Sequence, residues 1–74
     1  MNYQEHITRD PTICGGEPVI KGTRVTIRTT LASLAEGSSA KEILEDFPAV
    51  TEDDLWAVIA FAAASAEDDL PVHR

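Results

Sequence analysis

Ser39-Ala40-Lys41-Glu42-Ile43-Leu44-Glu45-Asp46-Phe47-Pro48 and Thr51-Glu52-Asp53-Asp54-Leu55-Trp56 decide the fold, because both stretches open with one helix-start signal. A Ser or Thr followed three residues later by an acid can form a capping box. The hydroxyl accepts the acid's backbone N–H, and the carboxylate accepts the N–H of the cap. Ile43, Leu44 and Phe47 give the first of these helices an apolar face, and Pro48 stops it. The second starts after Thr51, with Glu52, Asp53 and Asp54 at the positive end of its dipole. It should reach about Ala66, where Glu67-Asp68-Asp69-Leu70-Pro71 ends it.

Working upstream, Ile27, Leu31, Leu34 and Ala35 share one helical face, which predicts another helix over Ile27–Glu36. Gly37 suits the position just past its end. Before it, Pro18-Val19-Ile20-Lys21 and Arg24-Val25-Thr26-Ile27 flank Gly22-Thr23, which reads as a tight hairpin with Gly22 at positive φ. Two short strands are not stable alone in water, so they must pack on the helices or on a second copy. The expected fold is mostly α. A short N-terminal β-hairpin (residues 7–27) precedes a three-helix, helix-turn-helix-like domain of homeodomain-like or winged-helix-like kind (residues 27–66). An acidic, flexible tail (residues 67–74) follows, all within one domain.

Seventy-four residues make one small domain, which buries only about 60% of the surface its unfolded chain exposes. Domains of this size often need a disulfide, a metal or a partner subunit. One cysteine (Cys14) excludes an internal disulfide, and His6, His73 and Cys14 do not have metal-ligand spacing, so a second copy is the expected support. The polar start Met1–His6 and the lone cysteine give the expectation of a cytoplasmic protein without an export signal.

Leu55 to Ala64 is an unbroken apolar run of ten residues. A membrane span needs about 20. Leu55, Val58, Ile59 and Ala62 fall on one face, Trp56, Ala60 and Ala63 on another, and Phe61 on a third. A helix apolar all round is covered all round. Either the hairpin covers the second face within one chain, or another chain does. Trp56 and Phe61, with Leu70 beyond the helix, are the candidate anchors for a dimer or partner interface.

Catalytic constellations are missing. Cys14 has no flanking cation to lower its pKa and reads as a small apolar filler. Gly15-Gly16 lacks the Lys and Ser/Thr of a phosphate loop. The acids sit at caps or on solvated faces, so a non-enzyme without cofactor is expected. The net charge is −7, and it is uneven. The first 37 residues hold four bases and four acids, whereas the rest hold two bases and nine acids. Nucleic-acid affinity needs clustered Lys and Arg. If DNA is bound, Lys21, Arg24 and Arg28 on the hairpin and the first helix are the residues for it. Arg24 has a structural alternative, bonding turn carbonyls, Asp10 or Glu17.

Asp10-Pro11, then Gly15-Gly16-Glu17-Pro18-Val19-Ile20-Lys21-Gly22-Thr23-Arg24-Val25, then Leu34-Ala35-Glu36-Gly37-Ser38, Glu42–Pro48 and Thr51–Leu55 closely resemble domain-of-unknown-function family 433 of small prokaryotic proteins. The resemblance covers about residues 7–66. It implies a trihelical helix-turn-helix fold behind a short β element, often dimeric, and a VapB-type antitoxin whose partner is a PIN-like ribonuclease toxin. The expected function is neutralisation of that toxin by a homodimer, with promoter DNA as a second ligand. The alternatives are a stand-alone DNA-binding regulator and a non-catalytic adaptor. An acidic, partly apolar surface suits a basic RNA-binding enzyme.

Overall fold

The computed structural model describes residues 2–69, with side chains through Glu67. Leu70 and the rest of the expected tail, with His73, lie outside the described residues. The chain opens with a 3-10 turn (Tyr3–Glu5), followed by β1 (Ile7–Thr8), β2 (Val19–Ile20), α1 (Ile27–Ala35), α2 (Ala40–Asp46) and α3 (Glu52–Asp69). The described residues are mostly helical, with three α-helices, a further 3-10 turn at Cys14–Gly16 and one two-stranded antiparallel sheet. No described helix is long and apolar enough to cross a membrane.

Both capping boxes form. The Glu42 N–H donates to Ser39 Oγ (3.2 Å), and the Ser39 N–H donates to Glu42 Oε1 (2.9 Å). The Asp54 N–H donates to Thr51 Oγ1 (3.1 Å), and the Thr51 N–H donates to Asp54 Oδ2 (3.0 Å). Helix α1 is capped by Thr26, whose Oγ1 accepts the Thr29 N–H at 3.1 Å. It ends in a Schellman motif: the Gly37 N–H bonds the Leu34 carbonyl and the Ser38 N–H bonds that of Ser33, each at 3.0 Å. Gly37 holds φ at +99°. Helix α3 runs three residues past the expected end at Ala66, so Glu67–Asp69 extend the helix rather than begin a tail.

The sheet pairs different residues from those expected. Ile7 faces Ile20 and Thr8 faces Val19 in the register of β1 against β2. The turn expected at Gly22-Thr23 is present as Ile20–Thr23: the Thr23 N–H bonds the Ile20 carbonyl at 3.0 Å, with Gly22 at φ +82°. Residues 24–27 return along β2 through the Ile20 N–H to Val25 carbonyl bond (2.9 Å) and the Ile27 N–H to Pro18 carbonyl bond (3.0 Å). This return is a single bridge, Val19 to Thr26, and not a strand. Thr26 is already the cap of α1, so the chain must leave the sheet there. The other edge of β2 is taken by β1.

The core holds Val19, Ile20, Ile27, Ile43, Val50, Leu55, Ala57 and Val58. Ile7, Val25, Leu31, Leu44, Phe47 and Phe61 pack around its centre. Thr30 is fully buried, and its hydroxyl donates to the Thr26 carbonyl one turn earlier at 3.2 Å. The buried stripe of α1 is thus turned toward Thr30 and away from Ala35, which was expected on it and is exposed.

A Cβ at Gly22 or Gly37 would meet nothing within 4 Å, so substitution there tests backbone conformation alone. Gly22→Ala and Gly37→Ala should each lower unfolding stability by about 1–2 kcal/mol, the cost of left-handed backbone for an L residue. Urea denaturation should show an earlier midpoint at unchanged slope.

Candidate protein-docking site

Helix α3 is covered on two of its three apolar faces. Leu55 and Val58 face α1 and α2 and are buried. On the opposite flank the N-terminal 3-10 turn packs on α3, and Tyr3 meets Phe61 edge-to-face with ring centroids 6.0 Å apart. The third face is left uncovered by the described residues: Trp56 is 56% exposed and Ile59 38% exposed.

Two anchor assignments change accordingly. Phe61 is half-buried and packs within its own chain, against the core and Tyr3, so it is a fold residue rather than a free anchor. Ile59, expected on the core face, shares the outer face with Trp56 at i, i+3 spacing. The signal was present in the sequence, since positions 56, 59 and 63 follow one helical line. It was masked by a run in which every position is apolar.

Trp56 and Ile59 form one wall of a groove of about 530 Å³ between the helices. Leu34 from α1, Ala40 and Leu44 from α2 and the edge of Leu55 supply the rest of its apolar lining. Glu45 and Glu52 stand at its rim with Lys41. All three are exposed.

The start of α3 is fixed by an unexpected contact. His6 Nδ1 lies 2.9 Å from Asp54 Oδ1, with the side chains 28% and 16% exposed. Sequence reading left His6 solvated, but the N-terminal turn carries it onto the helix, and the Lys21 N–H bonds the His6 carbonyl at 2.8 Å. Burial pushes the Asp54 carboxyl up. The hydrogen bond to His6 and those with Thr51 outweigh it and hold the group below the usual carboxylate range. Glu42 is held low by its Ser39 bonds, and Asp10 by the Thr12 hydroxyl and backbone N–H.

The three bases considered for DNA differ in their surroundings. Lys21 and Arg24 are exposed around the Ile20–Thr23 turn. Arg28 is paired with Glu17, its Nε donating to Oε1 at 3.1 Å and its Nη2 to Oε2. Asp10 is engaged by Thr12 and Glu17 by Arg28. The Arg24 guanidinium bonds neither of them, and it makes no hydrogen bond among the described residues. The Arg24 carbonyl accepts from Cys14 Sγ at 3.4 Å, and the half-buried Cys14 holds its backbone at φ +50°.

The profile of a family described as "Protein of unknown function (DUF433)" matches residues 7–62. The uncharacterized protein y4eO of Sinorhizobium fredii is 36% identical over 62 residues, which are 84% of this chain and 28% of that protein. The chain thus spans little more than a quarter of this relative's length. The crystal structure of a DUF433 member from Anabaena variabilis is similar, with a TM-score of 0.79 and 32% identity over 88% of this chain and 64% of that one.

The folded Asp54 carboxyl ionises below its unfolded value of about 3.9, so the stability it contributes is complete well above that pH. This contribution is lost as pH falls through the lower, folded value. Asp54→Asn should cost about 1.5–3 kcal/mol at pH 7, the range for hydrogen bonds to a charged group. The gap between variant and wild type should close toward pH 3, measured by urea denaturation at both pH values.

Proposed function

The chain belongs to the DUF433 family, whose description carries no activity, and we propose that it is a non-catalytic binding protein whose target is another protein. The observation that carries this reading is the bare Trp56–Ile59 face above an apolar groove with Glu45 and Glu52 at its rim. Leaving a Trp more than half exposed forgoes the burial of a large apolar surface. Buried Trp anchors dominate the energetics of protein interfaces.

The partner we propose is a PIN-like ribonuclease toxin, which makes this chain its antitoxin. A nuclease that binds RNA presents a basic surface. The acidic helical half of this chain, carrying nine acids against two bases, complements such a surface. Homodimerisation belongs to the same proposal, as does the contribution of Leu70 beyond α3.

Promoter binding is the second reading, favoured by the exposure of Lys21 and Arg24. In this geometry a helix-turn-helix docking through α3 is opposed by electrostatics. Glu52 and Asp53 would face phosphates, and Asp54 is engaged with His6. DNA contact would fall to the turn at Gly22.

Co-expression with the reading frame adjoining this one tests the antitoxin reading. The expected result is a stable complex with a ribonuclease and restored growth. Trp56→Ala should weaken the complex about 30-fold, the size of a 2 kcal/mol hot spot, with helicity unchanged. Absence of both complex and rescue would remove the antitoxin reading. DNA binding that falls steeply with salt, and is lost in Lys21→Ala/Arg24→Ala/Arg28→Ala, would then establish the regulator.

A further inference from the structure

We infer that the groove between α2 and α3 takes a basic amphipathic helix of the partner, whose apolar side chains enter beside Trp56 and Ile59 while its Lys or Arg residues meet Glu45 and Glu52. This rests on the reading of the Trp56 face as a docking surface and specifies what docks there.

Shape is the first argument. The groove is bounded by the seven residues of α2 and the first two turns of α3, so it is about 10 Å long. That length accepts about two turns of helix, presenting anchors at i, i+3 or i+4 and i+7. The cavity of about 530 Å³ is of the size that buries such anchors. Its floor, from Leu34, Leu44, Leu55 and Ile59, offers no polar side chain for an extended backbone to bond. A helix satisfies its own backbone and needs none.

Charge selects among occupants. Glu45 and Glu52 are exposed at the rim, and Lys41 lies one turn from Glu45 on the same helix, where the two can offset each other. A second copy of this chain would bring a further −7 to the contact. If it docked through α3 in parallel, Glu52 and Asp53 of one helix would approach those of the other. Like charges set opposite each other at an interface cost affinity. A basic helix meets the same rim with attraction.

Trp56 is the sole tryptophan, so its emission reports groove occupancy directly. The probes are three synthetic peptides of about five helical turns with one spacing. The first has Leu at the anchor positions and Lys elsewhere. The second has Leu and Glu, and the third has Ser and Lys. The full chain should show a saturable blue shift of Trp56 emission with the Leu/Lys peptide only. Glu45→Lys/Glu52→Lys should weaken that binding at least tenfold, and so should Ile59→Ser, each with unchanged helicity. No shift with Leu/Lys, an equal shift with Leu/Glu, or an equal shift with Ser/Lys would overturn the inference. So would Trp56 emission that is already blue-shifted at a mass rising with protein concentration, because a second copy would then fill the groove.

The two proposals fail separately. A ribonuclease complex undiminished in Glu45→Lys/Glu52→Lys and in Ile59→Ser overturns the groove inference and leaves the antitoxin reading. A Leu/Lys peptide seated at Trp56 without nuclease complex or growth rescue keeps the groove and removes the antitoxin.

Discussion

The carboxylate of Asp54 serves two structures at once. One oxygen accepts the Thr51 N–H and closes the capping box that starts α3. The other meets His6, 48 positions earlier in the chain, and ties the N-terminal segment to that helix. Because His6 also accepts the Lys21 N–H through its carbonyl, the same point fixes the segment to the turn after β2. With His6 held, Tyr3 lies over Phe61 and Ile7 lies beside Ile20. A domain with only two short strands has few long-range backbone bonds, so a charged hydrogen bond at the junction of three elements carries more of its topology than a surface pair would.

This arrangement explains why one face of α3 is bare while another is closed. Ten apolar residues in succession demand cover around the whole helix, and among the described residues two pieces provide it. The α1–α2 layer takes the Leu55–Val58 side, and the N-terminal turn takes the side of Phe61. Trp56 and Ile59 fall between them. Two large apolar side chains exposed side by side on one helix face support a partner more strongly than a scattered surface hydrophobe would.

Local chemistry was legible in the sequence. Ser39/Glu42, Thr51/Asp54, Gly37 and Pro48 each act within one turn of a helix, and the residues that specify those caps and stops lie three or four positions apart. Non-local pairing was not legible. Nothing near His6 names Asp54 as its partner, and Val19-Ile20 has two edges, of which the return through Val25-Thr26 is the nearer in sequence. Thr26 is extended and serves as both the bridge partner of Val19 and the cap of α1, so the helix that begins at Ile27 ends the return after one bridge. The docking face was half legible. Trp56 stands out by type, whereas Ile59 differs from Val58 only by 100° of rotation on a helix where both positions are apolar.

An acidic protein that read DNA through α3 would have to bring Glu52 and Asp53 against phosphate, and Asp54 could relieve the repulsion only by protonation, against the pull of His6 and Thr51 on its pKa. The same acids at a protein interface cost little while they remain solvated at the rim, and they raise the association rate with a basic surface. The cap residues that start α3 therefore also bias what the finished helix can approach. A helix N-terminus attracts anions through its dipole, but here three carboxylates already occupy that end, and the net field outside it is negative. On the proposed reading, apolar contact at Trp56 and Ile59 would supply affinity, and the surrounding acids would select a cationic partner.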